Sequence, residues 1–196
     1  MSIDFEQYSK YPPKEALLKL ITPFEELEEC RAISLTLSKY VTSVFVDTDH
    51  LVVKFQSACG NEAFLYLYKA KEVTRNDVPN SYLRVLEHYS YGSFEGEDLE
   101  LILNENFSSG AFCLDEGWNF ENYASELVEY ENKLDIVMDK LNSDHYILHP
   151  TIKNNNGERK VYYMGHDMGE LLEVYPDVGV GGHFLRIITE YLSDDY

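Results

Sequence analysis

Apolar residues change their spacing several times along this chain, and each change marks an element. Ala16, Leu17, Leu20 and Ile21 follow Pro12-Pro13 at helical intervals, which predicts a first helix there. Thr22-Pro-Phe-Glu25 then has the composition of a capping box, with Pro23 suited to a first turn. It predicts a second helix running to about Ser38. From Val41 the period drops to two. Val41, Val44 and Val46, then Leu51, Val53 and Phe55, flank Asp47-Thr-Asp-His50 and predict a hairpin. Phe64-Leu-Tyr-Leu-Tyr68 adds a strand after a turn at Cys59-Gly-Asn61, so this part of the chain is expected to be an antiparallel meander with one covered face.

The helical period returns at Tyr82, Leu83, Leu86 and Tyr89, with a stop expected near Gly92. Leu99 to Leu103 and Ala111 to Leu114 predict further strands. Ala124, Leu127, Val128, Leu134, Val137, Met138 and Leu141 predict a long helix from Asn122 to Leu141. A turn at residues 153–158, a strand from Lys160 to Met164, a flexible connection at Gly179-Val-Gly-Gly182 and a helix lined by Phe184, Ile187, Ile188 and Tyr191 complete the reading. The order of elements predicts an α+β fold, mostly antiparallel sheet with helices packed on one side, in one domain spanning residues 1–196.

Composition narrows the function classes. The formal net charge of −19 over 196 residues disfavours nucleic acid or an anionic membrane as a direct partner and favours a basic protein. Between Glu97 and His145 stand thirteen carboxylates against Lys133 and Lys140, although part of that run is the solvated face of the predicted helix. Sixteen tyrosines suit half-buried strands and wet binding surfaces alike. Cys30, Cys59 and Cys113 form no CxxC pair and are expected to be reduced core thiols. The first residues lack a secretory pattern and no apolar run reaches membrane-spanning length, which predicts a soluble, cytoplasmic protein.

Candidate chemistry is sparse. His145 and His149 have the i, i+4 spacing of a zinc pair on a helix, but Tyr-Ile-Leu between them and Pro150 after them fit a strand better. His166-Asp167 could orient an imidazole, yet no nucleophile motif accompanies it. Gly179-Val-Gly-Gly-His183 resembles a phosphate loop without its Lys-Ser/Thr. No metal or cofactor is expected. Asp115-Glu116-Gly117-Trp118 places the single tryptophan beside two acids, a composition suited to a binding hot spot. Glu97, Asp98, Asp115, Glu116, Trp118 and Glu121 are therefore the candidate partner-binding residues.

Two stretches also carry a family resemblance. The segment from Asp77 through Pro79, Tyr82 and Gly92, and Glu158-Arg-Lys-Val-Tyr-Tyr-Met-Gly-His-Asp167 followed by the helix from Phe184 to Leu192, resemble the SMI1/KNR4 (SUKH) superfamily. Val78 stands where that pattern has Leu, Ser90-Tyr91 where it has Asn, and Met164 where it has Trp. The resemblance covers residues 77–192, leaving residues 1–76 as an N-terminal addition of helices and β-meander. It implies a SUKH-like α+β fold and a non-catalytic immunity protein that neutralises a basic, nuclease-type toxin. The alternatives are a small-molecule-binding or hydrolytic enzyme with a pocket near His166 and Asp167, and a regulatory scaffold.

Overall fold

A computed structural model of the chain describes residues 4–25, 28–69, 80–103, 135–140, 144–153, 155, 157, 159–165, 172–174 and 179–194. The chain enters through a 3-10 turn, Phe5–Lys10, and α1, Pro13–Leu20, with Pro13 in the first turn. Ala16, Leu17 and Leu20 are buried, and Glu15 and Lys19 pair on the wet side. Thr22 does not cap a long helix. Thr22–Phe24 is a second 3-10 turn, and the Thr22 hydroxyl donates back to the Leu18 carbonyl at 3.0 Å, so it is already engaged. The second helix, α2, comes later at Glu28–Leu37, while Glu25 accepts from Arg31 through both carboxylate oxygens.

The sheet is an antiparallel meander in which every strand pairs with its neighbours in the chain. Its strands are β1 (Val41–Asp47), β2 (His50–Gln56), β3 (Glu62–Lys69), β4 (Tyr89–Glu95), β5 (Glu100–Leu103), β6 (Asp135–Lys140), β7 (Asp144–Lys153), β8 (Arg159–Met164) and β9 (Leu172–Glu173). The β1–β2 hairpin closes on Thr48 and Asp49, with Asp47 opposite His50 and Thr48 at φ +55°. Leu51, Val53 and Phe55 face Leu67, Leu65 and Ala63 across the ladder, and all six are fully buried. This inner face packs against α1, α3 (Asn80–Leu86) and α4 (Gly179–Ser193), which supply Leu17, Leu20, Tyr82, Phe184 and Ile188 to the same core. The fold is α+β, with the described helices on one side of the sheet.

Three predicted elements are corrected. The helix expected over Asn122–Leu141 is a strand from Asp135 onward: β6 pairs Leu103 with Met138 on one side and Tyr146 with Met138 on the other. Residues 122–134 lie outside the described residues, as do Ala111 to Leu114. The β-branched pair Ile136-Val137 suits a pleated backbone, and two ladders outweigh a helical stripe. Tyr89 belongs to β4 rather than to the helix before it, because its buried hydroxyl donates to the Leu20 carbonyl at 2.7 Å. Gly92 consequently sits mid-strand, opposite Leu67 and Leu103.

Gly179-Val-Gly-Gly182 is not a flexible connection but the first turn of α4. A side chain at Gly181 would stand 3.1 Å from both Phe24 Cα and Val85 Cγ2, so glycine lets α4 approach the second 3-10 turn and α3. Of the cysteines, Cys30 is buried as expected. Cys59 is exposed in the β2–β3 turn instead, and a hydrogen bond to Asp194 pushes its thiol pKa up. Cys113 lies outside the described residues. Among the described residues no helix is long and apolar enough to cross a membrane.

Candidate binding face

The strand period that buries leucines on one side of β2 and β3 places aromatic residues on the other. Register defines three cross-strand rows on this outer face: Asp47, His50 and Tyr68; Phe45, Val52, Tyr66, Ser93 and Ile102; and Ser43, Lys54, Phe64, Glu95 and Glu100. The rings form a continuous ladder. His50 stacks on Tyr68 at 4.7 Å between centroids and tilts against Tyr66 at 5.8 Å, and Tyr66 stacks on Phe64 at 6.2 Å. Phe45, at the edge, is 42% exposed. The described helices all lie on the opposite side; His50, Phe64, Tyr66 and Tyr68 are half-buried, the His50 side chain being 16% exposed.

Carboxylates surround the ladder. Asp49 Oδ1 lies 3.2 Å from His50 Nδ1. The Tyr66 hydroxyl is held above its usual pKa by burial first, then by the nearby charge of Glu95, to which it donates a hydrogen bond, and by Tyr68 and Asp47. That phenol stays a donor throughout the physiological range. Lys54 on this face is already engaged: its ammonium pairs with Glu62 and sits 5.7 Å above the Phe64 ring. Aromatic area with a negative rim is thus concentrated at the β1–β4 end of the sheet.

Of the predicted partner-binding residues, Glu97 and Asp98 occupy the turn between β4 and β5, exposed and immediately next to Glu95 and Glu100 of the outer face. Glu97 is tied down. Its carboxylate accepts from Asn61 Nδ2 at 2.6 Å, and its backbone N–H donates to the Tyr191 hydroxyl at 2.8 Å. The Ala58 N–H donates to the Leu192 carbonyl at 2.8 Å, so two hairpin turns and the end of α4 form one stitched corner. Asp115, Glu116, Trp118 and Glu121 lie outside the described residues, as do His166 and Asp167.

The two histidines of the predicted i, i+4 pair are separated by the strand. His145 and His149 sit on strand β7, where four residues span about 13 Å, too far for both to ligate one ion. His149 Nδ1 instead accepts from the N–H groups of Thr151 and Ile152 at 3.2 and 3.0 Å, which settles the backbone beside Pro150. Among the described residues no group of three or more His, Cys, Asp or Glu is placed to hold a metal. At the β7–β8 end, Tyr163 donates to the buried Asp144, and Tyr146 packs between Tyr163 and His183. Burial, then Asp144, raises the Tyr163 pKa; burial, then the Arg186 charge, lowers that of His183 to about 3.

The outer-face ladder was missed in the sequence because alternation in Phe64-Leu-Tyr-Leu-Tyr68 reports two faces without saying which one helices leave open. The signal that could have found it is the run of aromatic, not merely polar, residues at the alternate positions His50, Phe64, Tyr66 and Tyr68. Comparisons with family models, with curated proteins and with solved structures found no match.

Proposed function

We propose that this protein is a non-catalytic acidic binding protein of the immunity type, which occupies the basic surface of a nuclease-type toxin in the cytoplasm. The observation that carries this reading is the aromatic outer face rimmed by Asp47, Asp49, Glu95 and Glu100 in a chain of net charge −19. A nuclease must present cations to phosphate, and a rigid aromatic patch with a carboxylate rim complements such a surface in both area and sign. Glu97 and Asp98 extend the rim, and Asp115, Glu116, Trp118 and Glu121 belong to the same proposal. The SUKH resemblance supports it.

The test is calorimetric titration with a basic nuclease-type toxin domain, sought first among the genes beside this one, together with its nuclease activity. Tight binding that weakens steeply between about 50 and 300 mM salt, with loss of nuclease activity, is the expected result. A basic toxin domain that neither binds nor is inhibited at low salt overturns the reading.

A further inference from the structure

We propose that the ladder of His50, Tyr66 and Tyr68, between Asp47, Asp49 and Glu95, reads arginine: guanidinium groups of the partner stack on the rings while the adjacent carboxylates pair with their N–H edges. This inference rests on the binding-protein reading above and names the chemistry of the partner it takes.

Three observations converge on it. The half-buried rings are held by one another, stacked or tilted at 4.7 to 6.2 Å, and by the rows of the same sheet. A planar cation can therefore pack on their remaining exposed surface, chiefly that of Tyr66 and Tyr68, with little further side-chain ordering, which lowers the cost of binding. The carboxylates stand at ring level rather than apart from the rings, since Glu95 hydrogen-bonds Tyr66 and Asp49 contacts His50. Finally, the same face already displays the interaction within the chain: Lys54 lies over Phe64 while pairing with Glu62. The position beside Tyr66 and Tyr68 holds, among the described residues, the carboxylates of Asp47, Asp49 and Glu95. Arginine suits it better than lysine, because the guanidinium stacks flat, is weakly hydrated and bonds a carboxylate through two N–H groups at once. The strong negative charge of the chain disfavours nucleic acid on this face.

The probes are three unstructured peptides of identical length, carrying arginine, lysine or neutral citrulline at alternate positions. Each is titrated into the full chain at about 50 mM salt, with amide chemical shifts followed by NMR. The arginine peptide is expected to bind about three- to tenfold more tightly than the lysine peptide and to shift the amides of His50, Tyr66 and Tyr68. The citrulline peptide should not bind. Tyr66→Leu and Tyr68→Leu keep net charge and apolar bulk, and each should weaken arginine binding about three- to tenfold, whereas Tyr68→Phe should retain it. Should the leucine variants fail to fold, the shift map on the unaltered protein decides. Shifts confined to other surfaces, equal binding of the lysine and arginine peptides, or unchanged affinity in folded leucine variants overturn the inference. So does a concentration-dependent dimer that buries these rings. If the toxin domain binds while the arginine peptide does not, this inference falls and the basic-partner reading stands. If the citrulline peptide binds as well as the arginine peptide, both fall.

Discussion

His183 shows how one position can couple the fold to pH. It lies buried in α4 against Tyr146, with a pKa near 3 against about 6.5 when exposed. A histidine depressed in this way favours the folded state as a neutral ring. Its contribution is fully present above pH 6.5 and is lost as pH falls toward 3, because the unfolded chain takes up the proton first. Between pH 7 and pH 5 the loss is about 2 kcal/mol for this residue alone. His183→Phe should keep the ring packing and remove most of that acid dependence, read as the difference between urea midpoints of variant and parent at the two pH values. A parent whose stability is flat from pH 7 to 5 relative to the variant would contradict the buried neutral ring. Tyr89 is a simpler case: Tyr89→Phe removes the bond to the Leu20 carbonyl and leaves that carbonyl buried, at an expected cost of about 1–2 kcal/mol in chemical denaturation.

Among the elements, turns carry the tightest tolerances. A side chain at Gly96 would come within 2.5 Å of the Tyr191 ring, whose hydroxyl accepts from the Glu97 N–H. Gly96→Ala should push that ring aside and unstitch the corner of β4, β5 and α4, lowering stability by about 1–3 kcal/mol. Tyr191→Phe combined with it should cost less than the two changes added, since both break one contact. At the other end of β2, Thr48 holds a left-handed backbone that β-branched residues disfavour. Thr48→Asn should therefore raise the melting temperature while leaving Asp47 and His50 in register. The element misread from the sequence, β6, makes the same point about context. Val137 and Met138 satisfy a helical stripe and a strand equally well, and only pairing to Leu103 and Tyr146 decides between them.

For the whole molecule, charge sets the terms of association. A net charge of −19 predicts fast, salt-sensitive encounter with a cationic partner, and the aromatic ladder predicts the part of the affinity that salt does not remove. Glu95→Gln with Asp49→Asn should therefore slow association and flatten its salt dependence, while Tyr68→Leu should chiefly speed dissociation; stopped-flow kinetics separates the two. Because β3 pairs with β4, the sheet runs without interruption from the N-terminal meander into the part of the chain that carries the family resemblance. The aromatic face proposed above is built on that early meander, beside Glu97 and Asp98 in the β4–β5 turn.

Local spacing by itself determined α1, the β1–β2–β3 meander, the turn at Asp47–His50 and the amphipathic end of α4, because each is set by period, turn chemistry and burial within a few residues. It also determined the sign of the charge. Tertiary structure alone decided that β6 is a strand, that Gly181 packs against Phe24, and that Glu97 is stitched to Asn61 and Tyr191. It also decided that the aromatic side of the sheet is the one the described helices leave open. Each of these depends on a neighbour distant in sequence, whose pairing or packing outweighs the local preference of the residues involved.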